Sequence, residues 1–228
     1  MVFYLLEKTK MRTPSLPLDY KIRYSSSLKG KKPSLILLHG YGSNEEDLFS
    51  FATYLPNEYT IISLRAPIAL DMGGYAWNNI HFDDSGDKKI IIQEANNSLE
   101  LIKESIKLSI THFNLDDNDI GLIGFSQGCI LSWAMTINHP NLIRRAVALS
   151  GFIVPKLIKA PLEEVSQLLM FNSHGVLDQM IPVEKARQSI NLIKKNNPKI
   201  TYKEYNEGHG INQENFSDFL NWINTTSL

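Results

Sequence analysis

Residues 120–128 read Ile120-Gly121-Leu122-Ile123-Gly124-Phe125-Ser126-Gln127-Gly128, an apolar run that ends in a G-x-S-x-G sequence. An apolar run without polar alternation suits a strand buried on both faces, as in a parallel sheet. The segment after it, residues 127–138, reads as a helix. A chain that passes from strand to helix through a sharp turn brings backbone segments too close for Cβ atoms, and this accounts for both glycines. The turn lifts the Ser126 hydroxyl out of the sheet. The helix behind it aims free N–H groups and the positive end of its dipole at any negative charge that develops there. Taken alone, the pentapeptide could equally be a glycine-rich turn with an idle serine. Its place between strand and helix favours a nucleophile.

Working outward, further short apolar runs occupy residues 34–38, 60–64, 146–149, 168–171 and 200–205, and residues 20–24 alternate as a strand would. Helix-length segments separate them. Ser43 and Glu46 form a capping-box pattern ahead of Leu48. Between residues 89 and 113, Ile91, Ala95, Leu99, Ile102, Ile106, Ile110 and Phe113 recur at three- or four-residue steps, a stripe that faces a sheet. Residues 183–196 and 213–224 show the same period. This alternation predicts an α/β fold with a mostly parallel central sheet and helices on both faces. With 228 residues and no linker-like tract, one domain spanning 1–228 is expected.

Composition narrows the function. Twenty-three Lys+Arg stand against 24 Asp+Glu, so no broad basic field exists for nucleic acid. A single cysteine excludes an intrachain disulfide framework and an all-cysteine zinc site. No segment approaches the ~20 apolar residues of a membrane span. The apolar start, Val2 to Leu6, is too short for a signal peptide. A cytoplasmic protein is expected.

Ligands of open α/β sheets bind at the carboxyl ends of the strands. Asp178 follows the run at 168–171, and His209 follows the run at 200–205 between two glycines. Taken singly, Asp178 could be a turn residue and His209 a surface histidine. Together with Ser126 they occur in the order Ser, Asp, His, each past a predicted strand. That is the chain order of an α/β-hydrolase triad. The first run ends in His39-Gly40-Tyr41-Gly42, an early H-G-x-G loop whose Tyr41 N–H can join the Gln127 N–H as an oxyanion donor. His39 precedes that donor and reads as a buried, loop-shaping histidine. Cys129 reads as inert packing, since no adjacent basic residue would lower its pKa.

These motifs, with His174-Gly175-x-x-Asp178-x-x-Ile181-Pro182, resemble the phospholipase/carboxylesterase family, which contains acyl-protein thioesterases and small bacterial carboxylesterases. The resemblance covers about residues 20 to 225 and implies an α/β-hydrolase fold without a large cap domain. It implies Ser126 as nucleophile, Asp178 as acid, His209 as base, and the Tyr41 and Gln127 N–H groups as the oxyanion hole. It also places Arg65-Ala66-Pro67 and residues 73–77 in a loop over the site, with Trp77 lining the groove. Asn78 stands where relatives often carry a second aromatic. Met72, Tyr75, Trp77, Phe152 and Ile153 are the candidates for an acyl site. Such chemistry needs no metal or organic cofactor. The expected partner is a small acyl ester, first a short- to medium-chain carboxylic ester, with thioesters or lysophospholipids next. A homodimer is common among such proteins. The competing readings are a catalytically silent ligand-binding module on the same fold, and a lactone-opening hydrolase, which would carry cysteine where this chain has Ser126.

Overall fold

The computed structural model describes residues 14–82, 88–162, 165, 168–197 and 200–226; the apolar start at Val2–Leu6 lies outside them. In chain order the elements are β1 (Tyr20–Arg23), β2 (Lys32–Leu38), α1 (Glu46–Phe49), β3 (Thr60–Leu64), β4 (Ile68–Ala69), β5 (Tyr75–Ala76), β6 (Ile80–Phe82) and β7 (Lys88–Ile90). They continue as α2 (Ile92–His112), β8 (Leu115–Phe125), α3 (Gln127–Asn138), β9 (Arg145–Leu149), β10 (Leu169–Gly175), α4 (Val183–Lys194), β11 (Thr201–Tyr205) and α5 (Gln213–Thr226).

Seven strands form one sheet in the order β1-β3-β2-β8-β9-β10-β11. All neighbours run parallel except β1, which pairs antiparallel with β3 at the edge. β4 with β5 and β6 with β7 form two small antiparallel ribbons. The fold is an α/β-hydrolase fold.

Buried strands carry apolar side chains on both faces, and β2 shows the division. Ile36 and Leu38 enter a core cluster with Ala95, Leu99 and Ile102 of α2, Ile130 of α3 and Ile190 of α4. Leu35 and Leu37 enter a second cluster with Leu48 of α1 and Phe219 and Ile223 of α5. Helices therefore cover both faces, and each fully buried Leu or Ile contributes about 1.5–3 kcal/mol. α3 is buried from Gln127 to Ile137, which places the elbow at the centre of the molecule.

Three expectations are corrected. The long helix begins at Ile92, because Lys88–Ile90 pairs instead with Ile80–Phe82. The capping box is not formed: Asn44 Oδ1 accepts the Glu46 N–H at 2.8 Å, and Ser43 Oγ donates to Asp47. The apolar run at 168–171 extends as β10 through Asn172, Ser173 and His174, all fully buried. Among the described residues, no helix is long and apolar enough to cross a membrane.

Register decides where the loops meet. Leu38 pairs with Gly124, Phe125 with Leu149, Leu149 with Ser173, and Gly175 with Tyr205. The loops after β2, β8, β9, β10 and β11 therefore converge on one edge of the sheet.

Candidate active site

At that edge, Ser126 joins β8 to α3 with φ +55° and ψ −113°, a conformation that costs a non-glycine residue about 1–3 kcal/mol. The surroundings hold it there: its N–H donates to the Leu149 carbonyl at 2.9 Å, and its own carbonyl accepts from Ile130 at 3.2 Å. The flanking glycines are a steric requirement. A Cβ on Gly124 would lie 2.3 Å from the Gly128 carbonyl oxygen, and one on Gly128 would lie 2.0 Å from the Leu38 carbonyl oxygen.

Ser126 Oγ lies 2.8 Å from His209 Nε2, and His209 Nδ1 lies 2.7 Å from Asp178 Oδ2. With Nδ1–H donating to the carboxylate, Nε2 is left to accept the Ser126 proton. Asp178 is nearly fully buried, and its Oδ1 accepts the Met180 and Ile181 N–H groups at 2.8 and 2.9 Å. The loop approach depends on another glycine: a Cβ on Gly175 would meet the Gly208 carbonyl oxygen at 2.2 Å. His174, fully buried one residue earlier, has its Nε2 2.8 Å from the Ile181 carbonyl oxygen and 3.2 Å from Asp178 Oδ2. The Nε2–H tautomer serves both acceptors. The motif gives His174 no role of its own in the sequence; its four-residue step from Asp178 is the available signal.

The loop after β2 closes the other side. His39 is buried, its Nδ1–H donating to the Gly40 carbonyl at 2.7 Å and its Nε2 accepting the Ala66 N–H at 3.0 Å. Burial lowers its pKa, in keeping with a neutral, loop-shaping ring. Gly42 N–H donates to Tyr75 O, and Tyr75 N–H to Ser43 O. Arg65, bound to Glu45 and Asp19, lies over the Tyr75 ring at 4.8 Å. The Tyr41 N–H meets no protein acceptor among the described residues. Gln127 is the first residue of α3, where an N–H has no partner within its own helix.

Gly40, Tyr41, Ser126, Gln127 and His209 line a cavity of about 520 Å³. Of the acyl-site candidates, Phe152 lines it. Trp77 does not: its indole is fully buried, with Nε1–H donating to the His39 carbonyl at 2.8 Å. Met72 is fully exposed, Tyr75 packs under Arg65, and Ile153 is buried with its N–H on Ser189 Oγ. The cavity wall is supplied instead by Ile80, Ile90, Ile130, Met180 and Ile181. Ile130, one turn after Ser126, and Ile181, beside Asp178, could have been found from their spacing. Ile80 and Ile90 come from the β6–β7 ribbon, which the helical period concealed. Asn78 is buried, with its carbonyl held by Gln127. The Cys129 thiol is buried against Gly151 and its pKa is driven far upward by burial.

Fold and site together define an α/β-hydrolase of the serine hydrolase class. The chain belongs to the phospholipase/carboxylesterase family, whose model matches residues 24–227. It is similar to acyl-protein thioesterase 1 of Kluyveromyces lactis, with 28% identity over 184 residues, covering 74% of this chain and 79% of the relative. In fold it is similar to the esterase PE8, with a TM-score of 0.77 and 21% identity, covering 92% of this chain and 99% of that one. The carboxylesterase of Bacillus cereus gives a TM-score of 0.76 at 19% identity, with 91% and 94% covered.

Proposed function

We propose that this enzyme hydrolyses carboxylic acyl esters through a covalent acyl-enzyme, with Ser126 as nucleophile, His209 as base and Asp178 as the group that orients the imidazole. The observation that carries the reading is the unbroken path Ser126 Oγ–His209 Nε2, His209 Nδ1–Asp178 Oδ2, at 2.8 and 2.7 Å.

His209 takes the hydroxyl proton as Ser126 Oγ bonds to the substrate carbonyl carbon. Asp178 fixes the tautomer and stabilises the imidazolium. The Tyr41 and Gln127 N–H groups receive the oxyanion, each worth about 3 kcal/mol of barrier. The tetrahedral intermediate expels the alcohol or thiol, which leaves with the proton from His209. Water then attacks the acyl-enzyme by the same steps in reverse order of roles. Short- to medium-chain carboxylic esters are the first substrate class, in keeping with an apolar cavity of moderate size. The thioesterase names among its relatives make acyl thioesters the second.

The test is hydrolysis of p-nitrophenyl esters of increasing acyl length by wild type and Ser126→Ala, with fluorophosphonate labelling of both. Wild type should turn over the shorter esters and be labelled, and the variant should do neither. A folded wild type that is neither active nor labelled favours a silent ligand-binding module.

A further inference from the structure

The wall of the Ser126 cavity carries positive charge for which ester hydrolysis has no use. Lys185, in the first turn of α4, lines the cavity, and its Nζ sits 4.8 Å from the centre of the Phe152 ring, which lines it too. The neighbouring acid, Glu184, pairs with Arg187 instead, and Lys185 has no ion-pair partner among the described residues. Lys89 of β7 also lines the cavity but is engaged in an interaction of its own. Among the described lining residues Asp47 is the acidic one, and it accepts the Ser43 hydroxyl at 2.8 Å. Most of the remaining wall is apolar.

The face of an aromatic ring holds an ammonium by its quadrupole, which positions the charge at the wall without neutralising it. Beside apolar walls a unit charge acts more strongly than in bulk water. A neutral alkyl chain gains nothing from that charge, whereas a chain ending in an anion does.

We propose that the cavity selects acyl groups ending in a carboxylate or a phosphate-type anion, with Lys185 as the residue that reads the charge; the proposal rests on Ser126 as nucleophile. The acyl group stays bonded to Ser126 Oγ after the alcohol departs, so it is the part of the substrate that the cavity must hold. Water then adds to the acyl carbon, the Ser126 Oγ–C bond breaks, and the proton returns to Ser126 by way of His209. The distal anion passes through unchanged, and the product is a free acid with two anionic ends.

The test compares kcat/KM for the p-nitrophenyl half-ester of adipic acid with that for p-nitrophenyl hexanoate, its neutral counterpart of equal chain length, after spontaneous hydrolysis is subtracted. A matched ester ending in a phosphonate separates a phosphate preference from a carboxylate one. Wild type is expected to favour at least one anionic ester several-fold. Lys185→Gln should lower the anionic-to-neutral ratio about threefold and Lys185→Glu about tenfold, the scale of one partly screened ion pair and its reversal. Added salt should compress the wild-type ratio. Lys194→Glu, at the far end of the same helix, should keep it. Hexanoate hydrolysed as well as both anionic esters, or a ratio indifferent to Lys185→Glu, overturns the proposal while leaving the esterase reading intact. A folded wild type that is not labelled by fluorophosphonate and turns over none of these esters overturns both.

Discussion

The Gln127 side chain bridges the elbow helix to the Trp77 segment: its Oε1 accepts the Trp77 N–H at 2.7 Å, and its Nε2 donates to the Asn78 carbonyl at 2.8 Å. The same segment is tied to the oxyanion-loop candidate through Trp77 Nε1–H on the His39 carbonyl. One residue therefore offers a backbone N–H at Ser126 and uses its side chain to brace the opposite wall.

Gln127→Ala removes both side-chain bonds and leaves the buried Trp77 N–H and Asn78 carbonyl unpaired, at a cost of about 1–3 kcal/mol for each. The expected outcome is a Tm lowered by several degrees and a kcat/KM for p-nitrophenyl esters reduced tenfold or more. Gln127→Glu keeps an acceptor for Trp77 and should fall between. Thermal unfolding and ester kinetics on the same preparations check this. An alanine variant with wild-type kcat/KM would show that the bridge does not position the site.

The proposed roles of Asp178 and His209 can be separated by what each leaves behind. Asp178→Asn preserves shape but removes the acceptor that selects the Nδ1–H tautomer, so kcat should fall by about ten-thousand-fold. Fluorophosphonate labelling should slow in parallel. His174→Leu, which removes the second N–H on Asp178 Oδ2, should cost about tenfold, and His174→Gln, which can restore an N–H at that distance, should recover part of the loss. Equal losses in the two His174 variants would assign that residue to packing alone.

Much of the fold was legible because buried parallel strands announce themselves as apolar runs and sheet-facing helices as stripes of period 3.6. The failures share a cause. β10 continues through Asn172, Ser173 and His174 because their backbones pair with the neighbouring strands, while Asn172 Nδ2 also reaches the Ala148 carbonyl at 2.7 Å. Polarity hid a strand that tertiary partners make affordable. Likewise Ile91 fits a helical stripe, yet Ile90 pairs with Ile80 in the ribbon and Ile91 stays extended ahead of the helix. Ser126, Asp178 and His209 were readable since each follows a strand. Trp77 lies outside the groove that the resemblance implies for it, because its buried indole is held by a carbonyl 38 positions away in sequence, which no local pattern reports.

Burial lowers the pKa of His39, and likewise that of His139. The unfolded chain therefore binds protons at these histidines where the folded protein does not. Stability is full above the ordinary histidine value of about 6.5 and is lost as pH falls below it. Glu45, held below the usual range by Arg65, adds a second loss only in more acidic solution. Tm measured from pH 8 to 5 should decline below pH ~6.5, and His39→Gln should start lower but decline less. A Tm that is flat across that interval contradicts the neutral His39.

At the opposite end of the sheet from the site, Arg145 is fully buried, bound to Asp119 and lying 5.4 Å from the Tyr59 ring centre. Its register partners, Gly121 and Leu169, place it at the start of β9, far along the strands from Ser126. A buried pair contributes little net stability when intact, because desolvation offsets attraction, but removing one partner strands the other charge at a cost of about 3–5 kcal/mol. Asp119→Ala should therefore unfold at markedly lower urea concentration than wild type. Replacing both residues, with Asp119→Leu and Arg145→Met, should recover most of the loss, since neither member of the fully buried pair is then left without the other, and Arg144, 3.8 Å from Asp119, is partly exposed. Ester turnover per folded molecule should not change in either variant. A single variant as stable as wild type would mean that water reaches the pair.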